Sequence, residues 1–132
     1  MLIGQNLTVK SQAELANLAK KILEIKPKVK FVLLSGDLGA GKTTFVKYLA
    51  TELGISQNIT SPTFNYMKNY DGLIHIDAYN LSGDLDEFED FFEDNIIAIE
   101  WFENLSVNFE NALIINIKII DQNTREIKIE RI

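Results

Sequence analysis

Cysteine is absent, no apolar run approaches the roughly 18 residues of a membrane span, and residues 69–117 contain neither lysine nor arginine. The first absence excludes disulfides and thiolate metal sites. The second argues against a spanning helix, and the opening "MLIGQNLTVKS" also lacks the basic start and apolar stretch of a signal peptide. A cytoplasmic protein with no membrane partner is expected. The third absence is the most informative, because the same interval carries twelve acidic residues. Direct binding to a nucleic-acid backbone needs clustered Lys or Arg, so any role in RNA chemistry would run through a partner protein. The acidic interval is either a solvated face or the surface that meets such a partner.

What is present is ordinary for a soluble globular chain: 46% apolar residues, 24% charged residues and a net charge of −6. A length of 132 residues suits one domain, burying on the order of 70% of its unfolded surface. Residues 1–132 are therefore read as a single unit, without repeats or low-complexity linkers.

A short strand is expected at residues 7–10. Ser11 followed by Glu14 is a capping-box arrangement, and Leu15, Leu18, Ala19 and Ile22 recur on one helical face before Pro27 closes the segment. That helix should cover a sheet. Residues 29–34 are apolar without alternation, the pattern of a strand buried on both faces, hence central and parallel. "KTTFVKYLATEL" places Phe45, Val46, Leu49 and Leu53 at helical spacing and stops at Gly54. The segments "SPTFNYMKNY" and "LIHIDAY" flank Asp71-Gly72, a pair able to fill both positive-φ positions of a tight turn, and should form an antiparallel hairpin. Residues 84–92 read as an acidic amphipathic helix, "IIAIE" as another buried strand, and residues 113–120 and 125–132, joined by "DQNT", as a terminal hairpin.

Between the buried strand and its helix stands "GDLGAGKTT": Gly36, Asp37, Leu38, Gly39, Ala40, Gly41, Lys42, Thr43 and Thr44. Gly36, Gly41, Lys42 and Thr43 satisfy GxxxxGK[S/T] in the strand–loop–helix context that the phosphate-binding P-loop requires. Backbone N–H groups can wrap a phosphate only where side chains do not obstruct them, and the helix N-terminus adds its dipole. Lys42 would neutralise the β- and γ-phosphates, and the Thr43 hydroxyl would hold Mg²⁺. At ordinary residue frequencies an accidental match is expected in roughly a few per thousand chains of this length. The expected fold is therefore α/β: a P-loop NTPase-like three-layer domain with a mainly parallel central sheet and antiparallel hairpin additions.

Two carboxylates are candidates for the remaining chemistry. Glu100 follows "IIAI" and would emerge at the carboxyl edge of the sheet, where ligands of open α/β sheets bind. There it could hold the magnesium water shell, or be merely solvated. On "HIDAY", His75, Asp77 and Tyr79 share one face while Ile74, Ile76 and Ala78 share the other. Asp77 either orients the attacking water or completes the metal shell, or belongs to the wet side of a hairpin.

The blocks "GDLGAGKTTF", "TSPTF", "HIDAY" and "IEW", in this order and at these spacings, make the chain similar to the bacterial tRNA threonylcarbamoyladenosine biosynthesis ATPase family, TsaE. Similarity beyond Leu105 is too generic to add to it. The resemblance implies an ATPase that supports the complex placing threonylcarbamoyl on adenosine beside the anticodon of tRNAs reading codons that begin with A. It implies that the chain is not itself the transferase. Its partners would be the transferase subunit and a companion subunit, tRNA being engaged only indirectly, and its turnover would be low without them. Carried over by position, Lys42 and Thr43 serve phosphate and magnesium, Glu100 assists the metal, Asp77 is required for turnover, Thr63 lies near the nucleotide, and Trp101 flanks the site. Where the family usually continues with arginine after the tyrosine, this chain has Asn80, and nothing in the sequence places Arg125 or Arg131 at the phosphates.

ATP is expected rather than GTP, since no [N/T]KxD stretch is present to read guanine, and the turn at residues 8–11 is a candidate adenine contact. The competing readings are a small-molecule phosphotransferase, which generally needs several cationic groups around the transferring phosphate, and a switch in which nucleotide binding rather than hydrolysis matters.

Overall fold

The computed structural model describes residues 3–37, 39–60 and 66–132. In chain order these form β1 (Asn6–Val9), α1 (Gln12–Leu23), β2 (Phe31–Ser35), α2 (Lys42–Glu52), β3 (Met67–Tyr70), β4 (Leu73–Asp77), β5 (Ile96–Glu100), β6 (Ala112–Asp121) and β7 (Thr124–Arg131), with 3₁₀ segments at Asp86–Phe91 and Phe102–Asn104. The strands make one seven-stranded sheet in the order β1-β7-β6-β2-β5-β4-β3. Its middle is parallel, with β2 between β5 and β6 and β4 beside β5. The β3–β4 and β6–β7 hairpins and the β1–β7 pair are antiparallel. The chain is thus α/β with a parallel centre and antiparallel additions, as its apolar patterning requires. Among the described residues no helix is long and apolar enough to cross a membrane.

Burial explains why β2 is central. Val32, Leu33 and Leu34 are all fully buried, and each contributes about 1.5–3 kcal/mol relative to an exposed side chain. A strand with one wet face would forfeit part of that. Val32 and Leu34 join the core formed with α1 and α2, through Leu18, Ala19, Ile22, Phe45 and Leu49. Leu33 joins Ile76, Ile97 and Ile99 on the opposite face, which is closed by Leu85, Phe88 and Phe92 around the first 3₁₀ segment. Helix α1 begins at Ser11, whose Oγ accepts from the Glu14 amide at 3.2 Å. The Glu14 carboxylate reaches one residue further back than in a standard capping box, accepting from the Lys10 amide at 2.7 Å.

Three expectations are corrected. The acidic helix at 84–92 is only a six-residue 3₁₀ segment. Asp84 Oδ1 turns the chain at its start by accepting from the Asp86 amide, and the segment closes at Phe91, the Phe92 amide donating to the Glu89 carbonyl. Too few residues lie between for a cooperative α-helix, and Asp86, Glu87, Glu89 and Asp90 repel at i+3 and i+4 spacing. In the β3–β4 turn only Gly72 takes positive φ, at 97°, so Asp71 does not share that conformation. Asn95 Oδ1 holds the Gly72 amide from the β5 side. The third concerns the row His75, Asp77, Tyr79, for which the wet side of a hairpin, one of two open readings, does not hold: His75 is completely buried, Asp77 half-buried and only Tyr79 exposed. Successive residues Leu73, Ile74, His75 and Ile76 of β4 are all fully buried, so both of its faces are covered along most of its length.

Candidate functional site

The carboxyl ends of β2, β4 and β5 converge at one edge of the sheet. Adjacent registers place Leu34 beside Glu100 and Glu100 beside Asp77, so three strands deliver the glycine loop, Asp77 and Glu100 to a common mouth. The loop leaves β2 through Gly36, whose φ is 148° and where an added Cβ would lie 2.4 Å from the Ile117 carbonyl oxygen. No other residue fits there. Gly39 and Gly41 also take positive φ, at 81° and 113°, with open space where side chains would project. Gly41 is the N-cap residue of α2. The loop therefore presents bare backbone at a helix N-terminus, the geometry that receives phosphate.

Lys42 is the first residue of α2, and only 5% of its surface is exposed. Its Nζ donates to the Gly36 carbonyl at 2.5 Å and lies 3.6 Å from the centroid of the Trp101 ring. Desolvation pulls its pKa below the ordinary lysine value, opposed by the negative charges of Glu100, Glu103, Asp77 and Asp37. The next residue, Thr43, donates its hydroxyl to the Glu100 carboxylate, with Oγ1 2.8 Å from Oε2 and 3.1 Å from Oε1. Glu100 is almost fully buried, and its Oε2 also meets His75 Nε2 at 2.6 Å.

The loop after β4 lies over this group. Asp77 Oδ1 accepts from the Tyr79 amide at 3.0 Å, and Asn104 Nδ2 ties down the Ala78 and Tyr79 carbonyls, each at 3.0 Å. Tyr79 packs edge-on against Trp101, with ring centroids 5.0 Å apart. Trp101 itself sits in left-handed backbone conformation, φ 60° and ψ 35°, unusual for a bulky residue and characteristic of functional loops. Ser35 links the second 3₁₀ segment to the sheet by donating to Glu103 Oε2 at 3.1 Å.

On the other side of the glycine loop is a cavity of about 300 Å³ lined by Ser11, Gln12, Gly39, Thr44, Asn123 and Arg125 among others. Val9 and Lys10 also line it, which puts most of the candidate turn at residues 8–11 beside the loop. The structure places Arg125 where sequence could not: its Nε donates to the Ala40 carbonyl at 3.0 Å, and its Nη1 donates to the Asp121 and Thr124 carbonyls.

Of the candidate residues, Gly36, Lys42, Thr43, Asp77, Glu100 and Trp101 come together at the mouth, with Asp37, Gly39, Ala40, Gly41 and Thr44 framing it. Leu38 and Thr63, with most of the "TSPTF" block, lie outside the described residues. Sequence reasoning missed His75 as a partner of Glu100 and Arg125 as a partner of the loop. The first had a weak signal in its alternation with Asp77. The second had none, because 85 residues separate it from Ala40.

Among the described residues no cluster of three or more His, Cys, Asp or Glu side chains could hold a metal alone. The Thr43 hydroxyl and Glu100 carboxylate nevertheless form a hard oxygen pair beside a phosphate-shaped cradle, the partial shell that Mg²⁺ completes with phosphate oxygens and water. The donor set fits the ion.

Residues 9–128 match the family model described as threonylcarbamoyl adenosine biosynthesis protein TsaE. The chain is 35% identical, over 99% of both chains, to the tRNA threonylcarbamoyladenosine biosynthesis protein TsaE of Aquifex aeolicus. It is 47% identical to the protein of the same name from Streptomyces coelicolor over 54% of this chain and 56% of that one, little more than half of each length. Its fold resembles the crystal structure of Bacillus subtilis YdiB with a TM-score of 0.72 and 30% identity, covering 93% of this chain and 82% of that one.

Proposed function

The chain belongs to the TsaE family, and from that premise we propose that it is a magnesium-dependent ATPase working in the cytoplasm for the formation of threonylcarbamoyladenosine in tRNA. The observation that carries the ATPase reading is the conjunction at the loop mouth: bare glycine backbone, the Lys42 ammonium, and Thr43 bonded to Glu100. A phosphate chain entering the cradle meets amides from the loop and helix N-terminus. Lys42 exchanges the Gly36 carbonyl and the Trp101 ring for a phosphate oxygen, and Thr43 and Glu100 hold the cation side. When bound, Mg²⁺ neutralises charge on the β- and γ-phosphates. Asp77, half-buried on the strand next to Glu100, orients the attacking water. The cavity by Ser11 and Arg125 takes the nucleoside end, since it lies against Gly39 and Thr44 on the far side of the loop from Glu100.

The chain does not transfer the threonylcarbamoyl group. Its partners are the transferase subunit and the companion subunit, and it reaches tRNA only through them. Turnover alone is slow for an electrostatic reason. P-loop hydrolases gain about 10³–10⁵ in rate from an arginine at the transferring phosphate. Here Asn80 stands after Tyr79 where the family pattern usually has arginine, and Arg125 is engaged with the Ala40 carbonyl of the loop. The partners would then supply the missing charge or geometry.

The test is reconstituted tRNA modification with the chain present or omitted, alongside ATP turnover by the chain alone and with titrated partners. Multiple-turnover modification should need the chain, and ATP turnover should rise with partners. Nucleotide binding without partner-stimulated hydrolysis would make the chain a switch instead, and rapid hydrolysis by the isolated chain would show that the site is already complete.

A further inference from the structure

His75 is the sole histidine of the chain and has no exposed surface. Its Nε2 lies 2.6 Å from Glu100 Oε2, and its Nδ1 is buried with no hydrogen-bond partner among the described residues. With Glu100 ionised its oxygens only accept, and the proton of the short contact then sits on Nε2. In the neutral ring Nδ1 is then the acceptor nitrogen. The ring is held as a one-donor device aimed at Glu100.

Glu100 is itself 4% exposed and draws its described side-chain hydrogen bonds from two groups, Thr43 Oγ1 and His75 Nε2. The two donors differ in permanence. The Thr43 hydroxyl belongs to the glycine-loop helix and, on the proposed function, would turn toward phosphate and cation when nucleotide enters. His75 belongs to β4, inside the sheet and remote from the loop backbone. Once Thr43 leaves, a buried carboxylate with no other donor would lose its fixed orientation. We propose that His75 is a positioning residue that keeps Glu100 aimed at the cation side of the site after Thr43 has let go. This rests on the reading of Glu100 as the carboxylate that serves the metal. Partners that orient metal-serving groups in this way are typically worth about 10–100-fold in metal affinity.

The experiment measures ADP affinity by calorimetry in EDTA and in Mg²⁺, the ratio of the two constants reporting how far the cation tightens binding. His75→Leu should leave the EDTA value within about twofold of the unmodified chain and cut the Mg²⁺ ratio by about tenfold. His75→Gln, whose amide can donate from nearly the same point, should recover most of it. An unchanged ratio in His75→Leu, with Glu100→Gln reducing it, overturns the role of His75 while sparing that of Glu100. A ratio of one in the unmodified chain removes both.

Nitrogen-detected NMR of the single imidazole in the unmodified chain supplies a test independent of whether the variants fold. The ring should carry its proton on Nε2, and its resonances should respond to ADP with Mg²⁺ more than to ADP in EDTA. A proton on Nδ1 instead would leave nothing to donate to Glu100 and would overturn the proposal.

Discussion

The ring of Trp101 covers the ammonium of Lys42, 3.6 Å from Nζ to the ring centroid. The cation proposed to meet nucleotide phosphate is therefore already engaged, by a cation–π contact and by the Gly36 carbonyl. Phosphate has to compete with a contact worth about 0.5–2 kcal/mol. Trp101 is the only tryptophan, so its emission should change when ADP or ATP draws Lys42 away. A spectrum indifferent to nucleotide at concentrations where calorimetry shows saturation would mean that the ring does not leave the ammonium.

Lys42→Ala should weaken ATP binding by about ten- to a hundredfold, the worth of a charge-assisted hydrogen bond of ~1.5–3 kcal/mol, without loss of fold by circular dichroism. Retained affinity would contradict the phosphate role of the loop.

Lys42 also sets a pH dependence. Burial lowers its pKa in the folded, empty protein, so between that lowered value and the ordinary lysine value the unfolded chain binds more protons, and stability of the empty protein rises with pH across the window. A phosphate beside the ammonium favours its charged form. ADP binding in EDTA should accordingly take up protons in the same alkaline window, with affinity falling as pH rises. Calorimetry in buffers of different ionisation enthalpy measures the uptake, which Lys42→Ala should lack; net release would reverse the assigned direction.

Asp77→Ala should keep ADP affinity within about twofold and lower partner-stimulated ATP turnover by about 10²–10⁴, the range for a positioned acid–base group. Normal turnover by this variant, with the partners present, would confine Asp77 to its hydrogen bond with the Tyr79 amide.

Arg125→Ala removes the tie between the terminal hairpin and the Ala40 carbonyl. Nucleotide affinity should fall by about tenfold, consistent with one hydrogen bond to a charged donor, while turnover at saturating ATP stays the same. A loss in turnover with affinity intact would instead put Arg125 at the reacting phosphate.

Gly36→Ala should destabilise the fold, because its Cβ would lie 2.4 Å from the Ile117 carbonyl oxygen and neither group is the end of a flexible side chain. Overpacking of this kind costs about 1–3 kcal/mol or more, read as a lowered melting temperature. Gly39→Ala, with open space around the same atom, should cost less stability and act mainly on nucleotide affinity.

Local order along the chain determined most of the fold and the heart of the site. The strand–glycine loop–helix unit could be read because it is built from consecutive backbone: the strand before it, the glycines within it, and Lys42 and Thr43 after it are all neighbours in sequence. The buried strands β2 and β5 and the two hairpins were likewise legible, since unbroken apolar runs and turn residues act over a few positions. What tertiary structure alone decided were relations across the sheet. The β4–β5 register buries His75 and sets it against Glu100, turning a row that reads as a hairpin's outer face into part of the site. The antiparallel β6–β7 pairing carries Arg125 back to the loop it follows by 85 residues. The acidic segment at Asp86–Phe91 stays a 3₁₀ turn because its ends are pinned and its charges repel, which hydrophobic spacing does not reveal. Backbone conformation answers to neighbours in the chain, whereas side-chain partnership answers to neighbours in space, and only the sheet's register says who those are.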